Sequence, residues 1–134
     1  MKKRKILCGI LAALVIICSL TLFASAADTA SATLNGNAVS AWSGQINNAR
    51  QIELTKAVNE ARSKHRAYFD FKYYNGSSWK KDKNAADLAI NTSIGNAYVK
   101  SNLKGAGMSW ILQINTWCCL HLNCFASGTI EKVS

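Results

Sequence analysis

Residues 67–74 read AYFDFKYY, and this stretch restricts the fold more tightly than any other. In an extended chain successive side chains alternate between two faces. Ala67, Phe69, Phe71 and Tyr73 then share one side, and Tyr68, Asp70, Lys72 and Tyr74 share the other. The first set suits a core and the second suits water. Aromatic residues also favour the pleated conformation, so the segment predicts a half-buried strand, closed by a turn at Asn75-Gly76-Ser77-Ser78.

The rest of the chain is read around this strand. Residues 38–42 form a weak strand in which Trp42 packs. Residues 50–66, RQIELTKAVNEARSKHR, are ambiguous. A single helix over 50–66 would gather Leu54, Ala57, Val58, Ala61 and His65 on one face. A strand over 50–58 keeps Ile52, Leu54 and Val58 in alternate register, with Lys56 interrupting, and agrees better with the strands around it. Residues 79–84, WKKDKN, read as a solvated connection. In 86–93, Leu88 and Ile90 alternate inward, and Ile94-Gly95-Asn96 is a turn or bulge. Strands follow at 97–101 and 108–117, separated by the Gly-bearing turn 103–107. The inward set of the second is Trp110, Leu112 and Ile114, or their neighbours. Residues 129–133 could add an edge strand.

Five or six short strands separated by turn signals predict a mainly β fold, a small antiparallel sandwich or barrel. The expected organisation is a flexible segment over 27–37 and a single β domain over 38–134.

The first 26 residues set the compartment. Lys2 to Lys5 are basic, Ile6 to Phe23 carry no charge, and Ala24-Ser25-Ala26 is a small-x-small site. That order is a secretory signal peptide with cleavage expected after Ala26; the alternative is an N-terminal membrane anchor, at the short limit of a span of roughly 20 residues. Either way the body faces the outside of the cell, and the lysine-rich start suggests a Gram-positive bacterium. Length, strand spacing and turn chemistry resemble those of small secreted β-sandwich proteins of such bacteria, some of them bacteriocin-like.

Outside the cell thiols tend to oxidise. The body retains Cys118, Cys119 and Cys124, an odd number. One disulfide uses two of them and leaves a thiol, or a disulfide-linked dimer forms. Adjacent Cys118 and Cys119 would close a strained ring, so Cys124 is the expected partner of one of them. A zinc site would need a second ligand pair that the chain lacks. No cofactor is implied.

Acidic residues are few and scattered, no nucleophile–base pair stands out, and a non-enzymatic protein is expected. The net charge of +9 includes the leader, and the body lacks the dense basic clustering of a nucleic-acid binder. Tyr68, Tyr74 and Trp79 beside Lys72, Lys80, Lys81 and Lys83 form the candidate surface. Rings and cations together suit an anionic cell-wall polymer or membrane surface, and an antimicrobial role there. The same rings could instead serve a secreted glycan- or protein-binding adhesion module.

Overall fold

The computed structural model describes residues 28–36, 38–63, 65–116 and 124–134. Nine strands run through them: β1 (Thr29–Gly36), β2 (Ser40–Trp42), β3 (Ile46–Ala49), β4 (Ile52–Asn59), β5 (Ala67–Tyr74), β6 (Trp79–Leu88), β7 (Thr92–Lys100), β8 (Met108–Thr116) and β9 (Cys124–Lys132). They form two antiparallel sheets. One has the order β1-β9-β4-β7, and the other β2-β8-β5-β6, with β3 joining β8 on the same edge as β2. The mainly β sandwich is as expected, with more strands than the sequence announces. The leader (1–26) lies outside the described residues.

The core fills by complementary volumes. From the second sheet come Phe69, Phe71, Trp110, Leu112 and Ile114, all fully buried. Opposite them, β1 and β9 turn in mostly small residues: Ala30, Ala32 and Leu34, then Cys124, Ala126, Gly128 and Ile130. Large side chains from one sheet enter the space left by small ones from the other, as dense packing requires.

That division explains several departures from the sequence reading. Residues 29–36 form a strand rather than a flexible start, because alternating Ala, Ser and Thr pack well under large neighbours while showing little hydrophobic contrast. Residues 129–132 belong to the longer β9, which lies between β1 and β4 instead of at an edge. The strand preferred over 50–58 is present at 52–59 and the alternative helix is not; the departure there is a bulge at Thr55. Past the bulge Ala57 and Asn59 turn inward while Lys56 is exposed and Val58 half-buried. Ile90 is exposed, since it sits in the turn between β6 and β7. The irregularity expected at 94–96 lies instead at 96–98, a bulge within β7 between the Gly95–Lys56 and Val99–Leu54 pairs, with Asn96 and Tyr98 at positive φ.

The largest correction concerns 79–84, which are strand rather than connection. β6 pairs with β5 through two bulges, at Asp82 and Ala85. Each bulge adds a residue and reverses which parity faces out. Trp79, Lys81, Asn84 and Asp87 therefore share the outer face, although their spacing follows no simple alternation. The lysines also suit an edge strand, since charge discourages pairing with another chain. Asp82 accepts hydrogen bonds from the backbone N–H groups of Asn102 (2.8 Å) and Leu103 (3.1 Å), which ties β6 to the loop after β7.

The β5–β6 turn is held by the Asn75 side chain. Its Oδ1 accepts from the backbone N–H groups of Ser77 and Ser78, each at 2.9 Å, and Gly76 supplies a φ of +100°. Asn75→Ala is expected to cost about 1 kcal/mol, read as a lower urea midpoint at unchanged m-value.

Candidate functional site

The outer face of the β2-β8-β5-β6 sheet gathers most of the candidate residues. β5 presents Tyr68, Asp70, Lys72 and Tyr74 there. Register then places Asp87 beside Tyr68, Asn84 beside Asp70, Lys81 beside Lys72 and Trp79 beside Tyr74. On the other side of β5, β8 adds Asn115, Gln113 and Ile111, opposite Tyr68, Asp70 and Lys72. β2 brings Trp42 alongside Gln113. From β2 to β6 there are three interstrand steps, about 14 Å.

Two aromatic groups stand on this face. Tyr74 and Trp79 have ring centroids 5.4 Å apart, tilted by 55°. Tyr74 is exposed, whereas Trp79 and Tyr68 are half-buried rather than freely displayed. Trp42 is 48% exposed and does not pack inward as its sequence context implied. The Lys72 ammonium lies 4.8 Å from the centroid of the Trp42 ring. β8 separates β5 from β2, so the Lys72 stem must cross it. Outward-facing Ile111, opposite Lys72 on β8, is nearly sealed from solvent.

Between the rings lies a polar cluster around Asp70. Its side chain is 11% exposed although it points away from the core. Oδ1 accepts from Asn84 Nδ2 at 3.0 Å and lies 3.4 Å from Lys81 Nζ, while Oδ2 accepts from Asn115 Nδ2 at 3.4 Å. A sheltered carboxylate is tolerated only when satisfied in this way. In return it fixes the orientation of two amides and a lysine, which reduces the entropy lost when they meet a ligand. At the next row Arg66 pairs with Asp87.

Lys80 and Lys83 do not join the face. Lys80 is opposite Tyr73 and Lys83 opposite Phe71, so both leave β6 on the core side. Lys83 Nζ reaches the Lys100 carbonyl of β7 at 3.3 Å. Sequence reading missed Trp42, Asn84, Gln113 and Asn115, and took Asp70 only as solvated. The alternation of 67–74 marked the right face, but nothing local shows which strands flank it.

Two other features were weighed. A cleft of about 390 Å³ between Arg50, Gln51, Lys104, Gly105 and Ser134 has no aromatic wall. Cys124 is fully buried on β9 and is disulfide-bonded. Cys118, Cys119 and His121 lie outside the described residues. Among the described residues no group of three or more His, Cys, Asp or Glu side chains is placed to hold a metal.

No family model matches the chain, and no curated protein matches it. Solved structures similar to it include a mitogen from Yersinia pseudotuberculosis (16% identity, TM-score 0.42, covering 78% of this chain and 83% of the other). PirA is similar at 11% identity and TM-score 0.42, over 81% and 95% of the two chains. A chitosan-binding module from a chitosanase/glucanase of Paenibacillus sp. IK-5 shares 8% identity at TM-score 0.40, over 74% of each chain. Carbohydrate-binding modules recur among these structures. Likeness at this level says nothing about what this chain binds.

Proposed function

We propose that the protein is an exported, non-enzymatic glycan-binding module, and that its ligand lies across the outer face of the β2-β8-β5-β6 sheet. The observation that carries this is the interleaving of rings and fixed polar groups on one sheet surface. Sugar rings have apolar C–H faces and hydroxyl rims. A surface that answers both needs aromatic planes alternating with oriented donors and acceptors. Tyr74, Trp79 and Trp42 supply the planes, and Asn84, Asn115, Lys81 and Asp70 supply the polar groups.

A membrane surface fits the same residues less well. Seating the rings in lipid would also take the Lys72 ammonium, which no carboxylate pairs among the described residues, out of water, and burial of an unpaired charge is costly. Interfacial anchors instead segregate an apolar face from a charged one. The antimicrobial reading gains nothing from this geometry, so binding takes its place.

Titration of the purified protein against a panel of soluble polysaccharides tests the reading. Trp79→Ala is expected to weaken binding by roughly tenfold or more, as loss of a central ring does in other interfaces. On neutral polymers the loss should be similar at low and high salt, because stacking is not screened. Polysaccharide binding that survives Trp79→Ala and Trp42→Ala together would rule this face out.

A further inference from the structure

We infer that the glycan is anionic, and that its charged group is held between Lys72 and Lys81. This rests on the glycan reading above and narrows it to a ligand class. Lys72 and Lys81 stand directly opposite each other on β5 and β6, on the same face. Like charges so placed destabilise a sheet. Asp70 answers only one of them, at 3.4 Å from Lys81 Nζ. Lys72 turns away across β8 and rests over Trp42, and among the described residues no ion pair holds it.

Lys72 is left without a counter-charge, and an anion bound at this row would supply one, drawing its ammonium back from Trp42 toward Lys81. A neutral sugar would not. Position matters as much as charge. The Lys72–Lys81 row lies two residues along the strands from the Tyr74–Trp79 row, a separation of about 7 Å. A sugar stacked on those rings therefore presents the acidic substituent of its own ring, or of the next, to the lysines. Asp70 holds Lys81 in place without neutralising Lys72, so the row stays cationic.

Matched polymers separate charge from backbone. Carboxymethylcellulose and hydroxyethylcellulose share one backbone and differ in charge, as do dextran sulfate and dextran. Binding of the full chain is measured by isothermal titration at low and high salt, with phosphatidylglycerol vesicles as a further arm. The expected result is roughly tenfold tighter binding to a charged polymer than to its neutral partner. Lys72→Gln and Lys81→Gln should each remove most of that preference, whereas Lys83→Gln, on the same strand but the other face, should keep it. Thermal melts check that each variant is folded. Preference for the carboxylate or for the sulfate polymer supports the inference and says which anion fits.

Equal affinity for charged and neutral polymers, both lost in Trp79→Ala, would overturn this inference and leave the glycan reading standing. The same holds for a charge preference indifferent to both lysine substitutions. Binding to the vesicles with none to any polymer would overturn both.

Discussion

Trp110→Ala is expected to remove roughly 3–5 kcal/mol of stability, a large share of what a domain of this size possesses. The indole is fully buried on the inner face of β8. It meets the Tyr73 ring at 5.8 Å between centroids, and its Nε1 donates to the Ala49 carbonyl at 2.9 Å. Truncation would open a cavity and remove a buried hydrogen bond, two separate costs. Ala49 lies in β3, which among the described residues pairs with β8 alone, so the loss also loosens an edge strand. Trp110→Phe separates the terms. It retains much of the volume and loses the hydrogen bond, and should cost about 1–3 kcal/mol. Urea unfolding at constant m-value reads both. An alanine variant within 1 kcal/mol of the parent would mean that this ring does not anchor the sandwich.

The alternation of Phe69 and Phe71 made their burial legible in the sequence. Trp110, Leu112 and Ile114 also recur at every second position, but that period left their neighbours as an alternative inward set, and the structure decides for Trp110. Legibility fails on the facing sheet, where the inward residues of β1 and β9 are mostly Ala, Cys and Gly. Their burial depends on large partners far away in sequence. The pairing of β1 with β9 joins opposite ends of the described chain. Among the nine strands, only β5 and β6 are both consecutive and hydrogen-bonded to each other. Such long-range pairing leaves little local trace and favours slow folding.

The candidate face shows the same limits. β5 announced its outward set through alternation, and so marked Tyr68, Lys72 and Tyr74. β6 concealed its set, because the bulges at Asp82 and Ala85 break the period on which such reading depends. That is why WKKDKN looked like a loop, and why Lys80 and Lys83 were grouped with Lys81. Trp42 sits on a three-residue strand, too short to show a period. Its exposure follows from where β2 docks on β8.

Gly128→Val is expected to cost about 3 kcal/mol, at the upper end of the overpacking range. Gly128 is buried on β9 and faces the second sheet. A Cβ there would stand 2.8 Å from Leu112 Cδ2 and 3.0 Å from Cδ1 and Cε1 of Phe69. Both neighbours are fully buried side chains with little room to yield. Valine adds two further methyl groups to a space that one carbon already overfills. Its β propensity is worth less than the clash, because that preference expresses fit to a pleated surface and the fit is absent. Gly95→Val is the control. Gly95 lies on exposed β7 with nothing within 4 Å of the added carbon, so the same substitution should fall within about 0.5 kcal/mol of the parent or stabilise it slightly. If steric conflict with Phe69 is the cause, Phe69→Leu should recover part of the loss in a double-mutant cycle, despite being destabilising alone. Additive losses would instead place the two residues out of contact, and with them the small-against-large packing on which the sandwich is built.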